Sequence, residues 1–190
     1  MIYIEMNNLV KTTKLVNNNN IIQIIQNKTY EAFIKNDIFN KCITKKGQTQ
    51  NAERQYIPII TKVLDDLHLE YEQASSQKPK DIRIKNPPIY LEAKKTDKTT
   101  IILNDTLPSK DTYYLYILTG TKKYKPQLKI INGQEFIKDN EWYLEYLEDI
   151  KKIKDKYCRG ENRLCKTTAL KAYIRPTFSV DLKHFNLLTY

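Results

Sequence analysis

The chain's apolar residues change period partway along, and that change divides it into predicted elements. From Ile21, the residues Ile21, Ile24, Ile25, Tyr30, Phe33 and Ile34 recur mainly at helical spacing, which predicts a helix over about 21–35. The asparagine tract before it, Asn17–Asn20, reads either as a linker joining an N-terminal arm (residues 1–19) to the body or as the capping region of that helix. Residues 45–49 form a polar loop. In the next segment, 51–66, Tyr56, Ile59, Ile60, Val63 and Leu64, with Leu67 just beyond, mark the buried side of a second helix; Pro58 lies inside the pattern, so the helix begins there or bends there.

Beyond residue 68 the period falls to two. Residues 69–72, 81–84 and 89–94 alternate as strands do, with Asn86-Pro87-Pro88 as a turn between the last two. Residues 100–103 are a short β-branched run, and 113–118 are apolar on both faces, as a central strand is. Residues 127–136 predict a strand or hairpin turning at Asn132-Gly133. From 140 to about 156, Trp142, Tyr143, Tyr146, Leu147, Ile150 and Ile153 line one side of a helix, and the remainder reads as basic and irregular. The order of helix, helix, strands, helix and basic tail predicts an α/β fold, a mixed central β-sheet flanked by helices, in one domain spanning 1–190.

Composition narrows the class. Hydrophobic residues make up 41% of the 190, enough for a core. No apolar run approaches the roughly 18–20 residues of a spanning helix, so no membrane association is expected. The first residues lack the features of a secretory signal. The three cysteines, Cys42, Cys158 and Cys165, are too few and too irregularly spaced for a disulfide framework or a zinc site, and reduced thiols in a cytoplasmic protein are expected. The net charge of +10 suits a phosphate-binding surface. The preference for lysine, asparagine and isoleucine also follows from A/T-rich codons, so part of that charge reflects coding bias. His68 and His184 fall in no metal or triad pattern.

The chemistry concentrates in Pro79-Lys80-Asp81, ten intervening residues, and Glu92-Ala93-Lys94. On a strand, Tyr90, Glu92 and Lys94 point one way, and the apolar Ile89, Leu91 and Ala93 point toward the core. The intervening turn makes a hairpin that brings Asp81 near Glu92. Two adjacent carboxylates repel each other unless a cation lies between them, and magnesium prefers such oxygen ligands together with water and phosphate. A nearby lysine orients the attacking water or stabilises developing charge. The alternative is that Asp81, Glu92 and Lys94 are solvated charges on an exposed sheet face.

This stretch resembles the PD-(D/E)XK nuclease superfamily in Pro79, Asp81, Glu92, Ala93 and Lys94, with Lys80 as an extra residue between the proline and the aspartate. The resemblance implies a restriction-endonuclease-like core in which Asp81 and Glu92 bind Mg2+ and Lys94 serves the water. It also implies an upstream helical glutamate, for which Glu53 is the candidate and Glu31 the fallback. Residues 101–108, 113–117 and the basic 175–180 look like stretches of small type II restriction endonucleases. That finer resemblance implies sequence-specific cleavage of double-stranded DNA by a homodimer, in a system that includes a cognate DNA methyltransferase. Other nucleases of the superfamily, such as a junction resolvase or repair nuclease, and a non-catalytic basic DNA-binding module are the alternatives.

Candidate DNA contacts are Lys95 beside the motif, Asn104 and Asp105 after the 100–103 strand, and Arg159, Arg163, Lys166 and Arg175 in the basic region 151–190. Asn104 and Asp105 equally suit an Asx-capped turn. Three of the chain's five arginines fall between Lys151 and Arg175, and arginine gives bidentate contacts to phosphate and guanine edges. For any single lysine in that region a solvated role is the simpler reading.

Overall fold

A computed structural model describes residues 2–43, 49–74, 81–104, 108–138, 142–157, 177–183 and 188. The chain opens with a helix, α1 (Ile2–Lys35), followed by a single turn, α2 (Ile38–Lys41), and the helix α3 (Thr49–Asp66). Strands β1 (Tyr71–Gln73), β2 (Ile82–Ile84), β3 (Ile89–Thr96), β4 (Thr100–Asn104), β5 (Thr112–Leu118) and β6 (Gln127–Asn132) come next. A short helix α4 (Gln134–Ile137), the helix α5 (Trp142–Tyr157) and strand β7 (Thr177–Asp181) complete the described elements.

The main sheet has the order β1-β2-β3-β5-β6. Only the β3–β5 pair is parallel; β1–β2, β2–β3 and β5–β6 are antiparallel. The fold is therefore α/β with a mixed sheet. Both faces of the sheet are covered. Ile82, Ile84, Ile89, Leu91, Ala93 and Leu115 pack with α1, α2 and α3 in the larger cluster, which includes Ile25, Phe33, Tyr56, Ile60 and Leu64. On the opposite face, Tyr114 and Tyr116 pack with Phe136 of α4 and with a second, two-stranded sheet of β4 and β7, through Ile101, Leu103 and Val180. This double covering explains why all seven residues of β5 are buried, as their unbroken apolar run predicts.

Several expectations are corrected. The asparagine tract does not cap a helix that starts after it: α1 runs through it from Ile2. Asparagine is a mediocre helix former but not a breaker, costing well under about 1 kcal/mol per residue, so its neighbours carry it. α3 does not begin at Pro58 but continues on both sides of it, with Pro58 exposed. The run at 100–103 is not part of the main sheet but pairs with β7, which turns the expected irregular tail into a strand over 177–181. Asn132-Gly133 leads into α4 instead of turning a hairpin, with the Asn132 Oδ1 accepting the Gln134 N–H at 2.8 Å. A Cβ at Gly133 would lie 2.2 Å from the Ser109 carbonyl oxygen, so only glycine fits this approach of backbone to backbone.

Candidate active site

The β2–β3 register pairs Ile82 with Leu91 and Arg83 with Tyr90. Extended by one residue, it sets Asp81 level with Glu92. The Asp81 Oδ2 accepts the backbone N–H of Ala93 at 2.7 Å, which ties the aspartate to the middle of β3. The alternation of β3 works as the sequence predicts. Ile89, Leu91 and Ala93 enter the helix-covered core, while Glu92 and Lys94 are paired in register with Tyr114 and Tyr116 on the other face.

That face is largely covered: Lys94 keeps 24% of its side chain exposed, and Glu92 is not a solvated charge. Glu92 is 7% exposed. Its Oε1 accepts a hydrogen bond from the Lys94 Nζ at 2.6 Å. Its Oε2 is buried and has no hydrogen-bond partner among the described residues. A buried carboxylate oxygen without a donor is costly, and such atoms in folded proteins ordinarily face an ion, a water or a ligand.

The electrostatics mark the same place. Burial, and then the charge of Glu92, push the Asp81 carboxyl up to about 6 from 3.8. The Ala93 N–H and Lys94 act in the opposite direction, and Glu53 adds further repulsion. Glu53, on α3, therefore lies within electrostatic reach of Asp81. Glu31 is exposed on α1 and paired with Lys28 at 2.9 Å. Tyr56, one helical turn from Glu53, is a residue the sequence suggested only as core. Burial raises its phenol strongly, as do the charges of Glu53, Asp81, Cys42 and Glu92, so its hydroxyl stays protonated beside three carboxylates. Its i+3 spacing from Glu53 was the available sequence signal. Tyr114, level with Glu92, is pushed up to about 12 by burial and then by the Glu92 charge.

The donor set suits a small hard cation. Asp81 and Glu92 supply two carboxylates, one with an orphaned buried oxygen, and their mutual repulsion is what a divalent ion relieves. Among the described residues no three His, Cys, Asp or Glu side chains gather into a metal-holding group. Two carboxylates could hold a hard divalent cation whose remaining positions are filled by water.

The structure does not bring every candidate to this site. Lys95 points to the other face of β3, where its side chain is 9% exposed and its amine is paired with Asp97; strand alternation separates it from Glu92 and Lys94. Asn104 ends β4 opposite Thr177. Asp105, Arg159, Arg163, Lys166 and Arg175 lie outside the described residues. No described helix is long and apolar enough to cross a membrane.

The repulsion at Asp81 gives a stability prediction. Because the folded chain holds the Asp81 proton more tightly than the unfolded chain, ionising it costs stability. That cost is absent below the ordinary value of 3.8 and is complete once the pH has risen through about 6. Asp81→Asn keeps an oxygen to accept from Ala93 but carries no charge. It is expected to stabilise the protein by about 1–2 kcal/mol at pH 8, discounting for partial exposure, and to give no gain at pH 4 or below. Thermal denaturation of both proteins at the two pH values checks this.

Comparison with protein-family models, with curated proteins and with solved structures finds no match. The functional reading therefore rests on the residues themselves.

Proposed function

We propose that this chain is a magnesium-dependent endonuclease acting on double-stranded DNA, with Asp81 and Glu92 as metal ligands and Lys94 as the amine beside the scissile phosphate. The observation that carries the reading is the buried Glu92 carboxylate, held on one oxygen by Lys94 and lacking a partner on the other, at the level of Asp81. When bound there, Mg2+ would supply charge neutralisation of the phosphate and acidification of a coordinated water.

The protein groups have separate tasks. Asp81 is anchored by the Ala93 N–H, so its free oxygen keeps a fixed direction. Lys94 shares the face and the carboxylate of Glu92, which fixes its amine at the ligand pair. An amine so placed donates to a phosphate oxygen or a water as negative charge develops, and preorganised donors of this kind make large contributions to rate. Glu53 and Tyr56 border the cluster from α3. Glu53 adds negative charge for a cation, and the protonated Tyr56 hydroxyl is available to donate to a carboxylate or a water. The net charge of +10 favours a polyanionic substrate. A cytoplasmic type II restriction endonuclease, acting as a homodimer alongside a cognate methyltransferase, is the specific form we favour.

Incubating a supercoiled plasmid with the protein and Mg2+, then sequencing the ends, tests this. Fixed bands ending at one short palindrome support the restriction reading. Cleavage confined to branched or damaged duplexes supports a junction or repair nuclease instead. Retention of DNA without cutting in Mg2+ or Mn2+ contradicts the enzyme reading and leaves a DNA-binding module.

A further inference from the structure

A groove of about 260 Å³ opens where α1 meets β6, an edge strand of the main sheet. Its walls include Gln26, Asn27 and Tyr30 of α1, Lys125 just before β6, and Leu128 and Lys129 within it. The groove is separate from the carboxylate pair. Lys129 is level with Tyr116, and Tyr116 with Lys94, so two strand spacings, roughly 10 Å, divide Lys129 from Lys94 along the sheet.

The polar groups here are donors whose own acceptor atoms are already engaged. The Ile130 N–H donates to the Gln26 Oε1 at 2.7 Å. A backbone N–H can only donate, so this bond fixes the amide oxygen toward the strand and leaves the Gln26 Nε2 without a partner among the described residues. The Asn27 Oδ1 accepts from the Gln23 Nε2 at 2.9 Å, which leaves the Asn27 Nδ2 in the same condition. The Lys125 and Lys129 amines have no ion pair or hydrogen bond among the described residues. No carboxylate lines the groove, and no Asp or Glu occurs from 112 to 134. Glu31, the acid next to Tyr30 on α1, is paired with Lys28 at 2.9 Å. Two amide NH2 groups and two ammonium groups therefore line one opening with no anion to satisfy them. That lining fits a ligand with negative charge and several acceptor oxygens.

The remaining walls are apolar. Tyr30 is 40% exposed, and its ring is braced at 5.8 Å by Phe39. Leu128 is buried. A braced, half-open aromatic ring is a platform on which a flat ring stacks. The volume falls below the roughly 300–1,000 Å³ of sites for drug-sized ligands, which suits one small unit.

We propose that the α1–β6 groove is a second anion site that binds one nucleotide-type unit, its phosphate ester on Lys125, Lys129 and the two amide groups and its planar ring on Tyr30. A free mononucleotide and one unit of a single-stranded nucleic acid offer this same chemistry. The inference rests on the groove alone and holds whether or not Asp81 and Glu92 bind a metal.

Nuclear magnetic resonance titration of the full chain in metal-free buffer tests it, with thymidine 5′-monophosphate, thymidine, inorganic phosphate and the thymidine tetranucleotide as probes. Without metal, no ion bridges phosphate to Asp81 and Glu92. The mononucleotide is expected to bind saturably with a Kd below about 1 mM and to shift the side-chain amide signals of Gln26 and Asn27. Thymidine and inorganic phosphate each bind more weakly. Lys125→Ala/Lys129→Ala is expected to lose at least about tenfold in affinity, the usual loss when hydrogen bonds to a charged group are removed. Lys35→Ala/Lys110→Ala removes the same charge from exposed positions outside the groove and should lose less than about twofold. Tyr30→Ala should weaken the mononucleotide by about fivefold or more and leave inorganic phosphate unchanged. The spectra themselves check that each variant is folded. A tetranucleotide bound at least about tenfold tighter than the mononucleotide assigns the groove to a strand, and equal affinity assigns it to the free nucleotide. No saturation by about 10 mM overturns the proposal. So do equal losses from the two lysine pairs, or an affinity that neither the groove lysines nor Tyr30 alters. Glu92→Gln is expected to keep full nucleotide binding, and plasmid cleavage is scored separately, so failure here and failure of the nuclease reading remain distinct.

Discussion

Lys94→Ala is expected to slow magnesium-dependent DNA cleavage by about 10²–10³-fold, the usual loss when a single preorganised donor is removed from developing charge. Duplex affinity should change only a few-fold, since one amine among many positive charges contributes little to binding. The variant also removes the amine that donates to the buried Glu92 carboxylate, so a loss of stability accompanies the first effect. Single-turnover cleavage and gel-shift binding on the same duplex separate the two outcomes. A proportionate loss of affinity and rate would mean that Lys94 acts in binding alone. An unchanged rate would remove Lys94 from the chemistry.

The second large effect is on stability and leaves the charged site untouched. Leu115 lies in β5 between Ala93 of β3 and Ile130 of β6, and is 1% exposed. Its side chain enters the helix-covered face, where Ala93 and Leu91 also point. Leu115→Ala removes three methyl-sized groups from a position flanked on both sides by strands that cannot close the gap. A cost of about 2–5 kcal/mol is expected. For a chain of this size that is a fall in Tm of roughly 5–15 °C. Calorimetry or thermal circular dichroism checks it, and cleavage at a temperature below the lowered Tm should be close to normal.

The sequence was most informative where one physical rule dominates. The two-residue period of 89–94 predicted the sidedness of β3 correctly, because a slip by one would bury Glu92 and Lys94 among the helices and expose Leu91. The unbroken apolar run of 113–118 likewise announced a strand covered on both faces. Spacing together with the Asn86-Pro87-Pro88 turn was enough to bring Asp81 level with Glu92. The failures came where tertiary partners outvote local preference. Asn17–Asn20 carry loop-like propensities, yet the helix passes through them. Residues 100–104 look like one more strand of a sheet, and nothing local says that their partner lies at 177–181, more than seventy residues later. Tyr56 shared its apolar periodicity with Ile60 and Val63, so its position beside three carboxylates was invisible until α3 was docked on the sheet. Lys95 stands next to Lys94 in sequence but lies on the opposite face of β3, paired with Asp97.

Binding of Mn2+, followed by loss of its free paramagnetic resonance signal at pH 8, tests the carboxylate pair most directly. The wild-type chain should bind the ion saturably, and Asp81→Asn/Glu92→Gln should lose that binding while remaining folded. Equal binding by the two proteins, or none by the wild type, would contradict the assignment of Asp81 and Glu92 as ligands.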